Sequence, residues 1–303
     1  MAFLRKQKRF FLKLFSLFSL VRGYNIALLI LSQYFTARYI LAFEKNWNTL
    51  LLDISLFCIV AASAASSAAG YIINNFYDAK KDRINRPVKF LLEHLVSQQM
   101  RLFLYLTLNM VTLIFASVVS FKAVLFFSVY IFSIWLYSSS LKRLFWISNL
   151  LSAALMILPF WVITLYFKNF DPVIFYHAAF LFVLILIRDI VKDMESYKGD
   201  WVHQYQTLPI VFGHTITKKI IGFLIISCFL PAYFLIQQPL GLMDYYFILS
   251  VPFLLFLLAL LWKAKDQKAF LRLHNFIKLW IFIGILSIAL IYKDLSDVKL
   301  YLG

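Results

Sequence analysis

The chain has 303 residues, 63% of them hydrophobic and only 15% charged, with a mean hydropathy of +0.82. A soluble domain, with about 45–50% apolar and about 25% charged residues, is excluded, and a polytopic membrane protein is predicted. The net charge of +16 does not point to nucleic acid, because the basic residues fall where cytoplasmic segments require them; anionic membrane lipids and a phosphorylated substrate are the partners it suggests.

In chain order, residues 1–20 join a basic start to a Phe-rich apolar continuation with no small-residue cleavage site, which predicts an uncleaved amphipathic segment at the interface. Residues 21–303 then form one transmembrane domain. Apolar runs fall near 24–43, 52–77, 101–119, 123–139, 145–167, 174–192, 218–236, 245–263 and 275–292. The expected fold is therefore an all-α bundle of about nine transmembrane helices with cytoplasmic cap loops, the longest at 78–100 and 193–217. The Ala/Ser-rich stretch from Ala61 to Gly70 predicts close helix approach in the second span. Cys58 and Cys228, the only cysteines, lie in apolar runs as packing residues.

Basic residues alternate between the connections. Arg5, Lys6, Lys8, Arg9 and Lys13 precede the first span, and Lys80, Lys81, Arg83, Arg86 and Lys89 follow the second. Lys142 and Arg143, then Lys192 and Lys198, then Lys263, Lys265, Lys268 and Arg272, mark the later even-numbered connections. The remaining connections carry one Lys or none. An inner or plasma membrane location with the N-terminus in the cytoplasm follows from this pattern.

Two polar stripes stand out against the apolar background. Asn74, Asp78 and Asp82 repeat every four residues at the end of the second span, and Asp189 and Asp193 repeat the spacing at the end of the sixth. On a helix such residues share a face. Oxygen-rich stripes at the mouth of membrane helices are costly without a cation to hold, which suggests a shared site for divalent metal and diphosphate on the cytoplasmic side. Arg188, Lys192 and Lys142, with Arg22 or Arg83, are the candidate diphosphate contacts. A diphosphate so held is a good leaving group, and an allylic carbocation left behind needs an apolar, aromatic pocket that excludes water. The 33 Phe, 17 Tyr and 7 Trp can line one.

The run Asn74 to Asp82, continued by Arg83-Ile84-Asn85-Arg86-Pro87, resembles the first signature of the UbiA-type intramembrane prenyltransferases. Asp189-Ile190-Val191-Lys192-Asp193 resembles the second, followed by Gly199-Asp200 and Thr207-Leu208-Pro209 through Gly213. Tyr137 through Lys142 with Asn149, and Arg22 with Asn25, resemble two further family segments. The resemblance implies Mg²⁺-dependent transfer of a prenyl group from polyprenyl diphosphate to a lipophilic acceptor, either a quinone precursor or a glycerol-phosphate ether lipid. By the same resemblance Asn74, Asp78, Asp82, Asp189 and Asp193 hold metal. Arg22, Asn25, Tyr137, Lys142, Arg188 and Lys192 bind substrate. Asn75 departs from the family, which often has Asp there; it either leaves metal binding to its neighbours or weakens it. Two rival readings are a non-catalytic isoprenoid-binding relative, supported by Asn75 alone, and an ion-coupled transporter. Acids at the ends of spans rather than at mid-membrane argue against the transporter.

Overall fold

A computed structural model describes residues 2–291, with side chains from residue 11 onward. The side chains of Arg5, Lys6, Lys8 and Arg9, the end of the ninth expected span and the C-terminus lie outside the described residues. The chain is helical almost throughout. Helix α1 is Ala2–Leu20, and α2 is Gly23–Thr36, continued by a π-helical turn at Ala37–Leu41. Then come α3 (Trp47–Leu51), α4 (Ile54–Asn85), α5 (Pro87–Glu93), α6 (Gln98–Val119) and α7 (Phe121–Ser139). A 3₁₀ turn at Leu141–Arg143 precedes α8 (Ile147–Phe167), α9 (Pro172–Glu195) and α10 (Tyr197–Val202). The series ends with α11 (Leu208–Ser227), α12 (Phe229–Ile236), α13 (Asp244–Lys263) and α14 (Gln267–Ser287).

Among the described residues eight helices are long and apolar enough to cross a membrane, counting α11 and α12 as one. The pair Phe11–Leu20 and Gly23–Leu41, bent by 54°, makes a ninth. The bend falls where Arg22 adopts a left-handed φ of 51°, a conformation that interrupts a right-handed helix.

The long loops expected at 78–100 and 193–217 are mostly helix instead. Helix α4 has 32 residues, a rise of about 48 Å against a hydrocarbon layer of about 30 Å. Its last turns therefore project past the apolar layer without ceasing to be helical, carrying Asp78 and Asp82. It opens on Asp53, an N-cap whose carboxylate accepts the Leu56 amide at 3.0 Å. It closes at Arg86 (φ −143°, ψ 62°), where the following proline disfavours helical backbone. Pro87 then takes the first turn of α5, where its missing N–H costs nothing. Likewise α9 runs on through Glu195, which is buried in the helix rather than exposed in a loop. The seventh span begins at Leu208, ten residues earlier than expected, and is broken at Gly213 (φ 74°, ψ 171°), a backbone conformation that suits only glycine.

The chain forms two compact units. The first takes the chain up to Ile30, Leu52–Ser148 and Ser196–Thr207. Its centre is α4 packed against α6 and α7. Ala62, Ser63, Ala65, Ser66 and Ala69 are buried along α4, and a β-carbon on Gly70 would come 3.0 Å from Ile134 Cγ2. Small side chains let these backbones close up, as the Ala/Ser content predicts. Helices α1, α5 and α10 pack on the same α4.

The second unit takes Leu31–Leu51, Asn149–Glu195 and the chain from Leu208. Here α9 is central, packed against α11, α12 and α14. Pro159 sits inside α8, and its carbonyl accepts the buried Gln33 amide at 2.8 Å.

Candidate active site

In the first unit the polar end of α4 organises everything around it. Asn74 and Asp78, one turn apart, both meet Lys142 in the 3₁₀ turn after α7. Lys142 Nζ lies 2.7 Å from Asp78 Oδ1 and donates to Asn74 Oδ1 at 3.3 Å. Its ammonium also stands 5.7 Å from the centre of the Tyr77 ring. The Lys142 side chain is only 5% exposed and that of Asp78 13%. Taking two charges this far from water costs several kcal/mol per ion, so the pair is weak as a stabilising device and strong as a fixed electrostatic feature. Asp82, a turn further on, is half-exposed, and its charge is felt at Lys89 and Glu93 on α5.

A second face of α4, made by Asp78, Lys81 and Asn85 at i, i+3 and i+7, holds the segment 196–207. Tyr205 donates its hydroxyl to Asp78 Oδ1 at 3.2 Å. Lys81 pairs with the fully buried Asp200 at 2.5 Å. Asn85 accepts the Gly199 amide at 3.0 Å and donates to the Ser196 carbonyl at 3.2 Å. Gly199 leaves room for this contact, because a β-carbon there would push against the Asn85 amide. The Tyr205 ring has Lys81 Nζ 4.7 Å and the Arg143 guanidinium 5.5 Å from its centre, so Arg143 does more than set topology. Burial, with the negative charge of Asp78, pushes the Tyr205 phenol up to about 12, so it remains a proton donor at any physiological pH.

Asn75 turns away from this cluster. It is buried, donates from Nδ2 to Glu93 Oε2 at 2.6 Å and accepts from Arg101 Nη1 at 2.9 Å. Glu93 is itself buried, which raises its carboxyl above the ordinary range against the opposing charges of Lys89 and Arg22. Arg22 stacks 4.7 Å over the Tyr71 ring, and Asn25 donates to the same tyrosine's hydroxyl at 3.2 Å. Tyr137 is half-buried on α7.

In the second unit α8 and α9 form a two-rung ladder. Ser152 donates to Asp189 Oδ2 at 2.6 Å, and Asn149 donates to Asp193 Oδ2 at 2.7 Å. Arg188 donates to Asp189 Oδ1 through Nε at 3.2 Å and Nη2 at 2.8 Å, and Nη2 also reaches the Met156 sulfur at 2.8 Å. Lys192 adds positive charge beside Asp189.

Among the described residues no three His, Cys, Asp or Glu side chains converge. Each cluster offers two acidic or amide oxygens already met by cations or neutral donors. That donor set suits a hard ion such as Mg²⁺, which takes one or two carboxylates and completes its shell with phosphate and water. It does not suit an all-protein cage.

Fold and side chains together define an α-helical integral membrane protein with acidic clusters at the ends of its spans, countered by lysine and arginine. The sequence matches the UbiA prenyltransferase family over residues 30–283, and the chain belongs to that family. It is 27% identical over 219 residues to the digeranylgeranylglyceryl phosphate synthase of Methanosphaera stadtmanae, covering 72% of this chain and 75% of that one. The synthase of the same name from Thermococcus gammatolerans is 27% identical over 237 residues, covering 77% and 83%. A solved digeranylgeranylglyceryl phosphate synthase structure superposes with a TM-score of 0.68 at 20% identity, covering 91% of this chain and 97% of that one. A UbiA homologue from Archaeoglobus fulgidus bound to GPP and Mg²⁺ gives 0.64 at 15% identity, covering 90% and 99%. At these identities the structural likeness carries the fold.

Proposed function

We propose that this prenyltransferase moves a polyprenyl group from its diphosphate to the hydroxyl of a prenylated glycerol phosphate, with Mg²⁺ as cofactor. The observation that carries the reading is the convergence of Asn74 and Asp78 on Lys142, a part-buried set of oxygens built around a cation. The glycerol-phosphate acceptor is favoured over a quinone precursor because the similar synthases carry that name.

Asn74 and Asp78 in the first unit, and Asp189 and Asp193 in the second, are the residues that would hold divalent cations, with Asp82 beside the first pair. A bound cation would neutralise the charge that builds on a departing diphosphate. Lys142, Arg188, Lys192 and Arg22 contribute positive charge toward phosphate oxygens, while Asn25 and Tyr137 orient substrate. The C–O bond to the diphosphate breaks with its electron pair going to the phosphate oxygen. The acceptor hydroxyl oxygen then bonds to the allylic carbon and loses its proton. No side-chain nucleophile is needed, and an apolar lining around the prenyl chain would keep water from competing.

Asn75, the single sequence feature behind a non-catalytic reading, spends both ends of its amide on Glu93 and Arg101. Its identity has a local packing reason and lends that reading no support. The alternation of basic connections supports a cytoplasmic N-terminus, which would leave an N-terminal tag accessible only from the cytoplasmic side.

The test is incubation of the protein in membranes with labelled geranylgeranyl diphosphate, Mg²⁺ and a panel of acceptors. Transfer to a geranylgeranylated glycerol phosphate is expected. Folded protein that transfers to aromatic acceptors alone would reject the acceptor assignment, and no transfer or diphosphate release with any acceptor would reject the activity.

A further inference from the structure

We propose that Asn75 and Glu93 form a matched positioning pair that fixes the rotation of α4 and so aims Asn74 and Asp78. The inference rests on the proposed role of those two residues. Adjacent positions on a helix point about 100° apart, so whatever holds residue 75 sets the direction of residue 74.

The hold on Asn75 comes from three other elements. Glu93 closes α5 and receives the Asn75 amide at 2.6 Å. Arg101, in the first turns of α6, donates to the same amide's oxygen at 2.9 Å. Helix α1 joins through Ser19, whose hydroxyl donates to Glu93 Oε1 at 3.4 Å, and through Ser16, which donates to the Leu92 carbonyl at 2.7 Å. Lys89, one turn before Glu93, stands 3.4 Å from Oε1. Glu93 and Arg101 are 1% and 5% exposed, so water is a poor substitute for a lost partner, and a buried polar network holds the geometry.

Only an amide satisfies both sides. Its oxygen accepts from the guanidinium and its nitrogen donates to the carboxylate. Aspartate at position 75 would keep the Arg101 contact but set two carboxylates at hydrogen-bonding distance, with no proton to share unless one is neutralised. Asparagine at 75 is therefore matched to glutamate at 93 in this chain. Changing Glu93 to glutamine supplies a donor amide and makes aspartate acceptable at 75.

The test is a double-mutant cycle of Asn75→Asp, Glu93→Gln and both together, read by thermal midpoint in detergent and by the Mg²⁺ dependence of prenyl transfer. Transfer is assayed at a temperature where every variant is folded. Asn75→Asp is expected to lower the midpoint and to raise the apparent KM for Mg²⁺ by roughly tenfold, the size of effect that a coupled polar pair carries. Adding Glu93→Gln is expected to restore both to within about threefold of the parent, on the same scale. An Asn75→Asp protein as stable and as Mg²⁺-responsive as the parent overturns the proposal. So does a double variant no better than the single one. A midpoint that recovers while the KM for Mg²⁺ never moves assigns the pair a packing role only and rejects positioning. Should the parent itself transfer no prenyl group, the proposed function fails, while the midpoint cycle still reports whether the two residues are coupled.

Discussion

Lys142 Nζ lies 2.7 Å from Asp78 Oδ1 in surroundings that leave the two side chains 5% and 13% exposed. The lysine reaches the carboxylate from a 3₁₀ turn that also brings Arg143 to the Tyr205 ring. One short connection thus supplies cations to both faces of α4. Buried pairs of this kind seldom add net stability, so the value of the arrangement lies in holding charge at a fixed place.

Removing one partner of that pair leaves the other as an uncompensated buried charge. Lys142→Met is expected to destabilise the protein by about 3 kcal/mol and to abolish prenyl transfer. Lys142→Arg keeps the charge but not the compact ammonium geometry and should retain only part of the activity. Thermal midpoints in detergent alongside transfer rates check both.

The ladder from α8 orients the second acidic pair. Ser152→Ala and Asn149→Ala each remove one hydrogen bond to a carboxylate, at a cost of about 1.5–3 kcal/mol for a charged acceptor. Each is expected to weaken transfer with a larger rise in the KM for Mg²⁺ than fall in stability would explain. Mg²⁺ titrations of activity for the two variants, singly and together, would check this.

Tyr205→Phe deletes the hydroxyl that donates to Asp78 and nothing else. Because the phenol is raised from 10.0 to about 12 in the folded protein, its protonated form is favoured by folding. The stability it contributes is fully present below pH 10 and is lost as pH rises through about 12. The difference between Tyr205→Phe and the parent is therefore expected to be constant between pH 6 and pH 9, at about 1–2 kcal/mol on the usual scale. Unfolding midpoints across that range check it.

Gly199→Ala places a methyl group against the Asn85 amide. It is expected to cost about 1–3 kcal/mol and to loosen segment 196–207 from α4. Faster proteolytic cleavage within that segment, compared with the parent, would report the loosening.

The spans and both acidic stripes were legible in the sequence because they rest on periodicity. Four-residue spacing puts Asn74 with Asp78 on one helical face whatever the rest of the chain does. Residues that act across the fold left no such trace. Tyr205 meets Asp78 from 127 positions away, and nothing around it in the sequence repeats. Ser152 is one serine in an apolar span, visible only as the i+3 companion of Asn149. Asn75 looked like a departure judged by its neighbours, but its reason sits at Glu93 and Arg101, 18 and 26 positions on. The polar stretches after the two stripes read as loops because polarity follows solvent exposure. Helix α4 stays helical as it leaves the apolar layer, so the two properties separate there.

The most direct test of the account is diphosphate release from labelled geranylgeranyl diphosphate, with Mg²⁺ and acceptor, by folded Asp78→Ala and Asp189→Ala proteins. Both substitutions are expected to reduce release to background, whereas the parent releases diphosphate at a rate that depends on Mg²⁺. Full release by both variants would contradict the assignment of these carboxylates to the reaction.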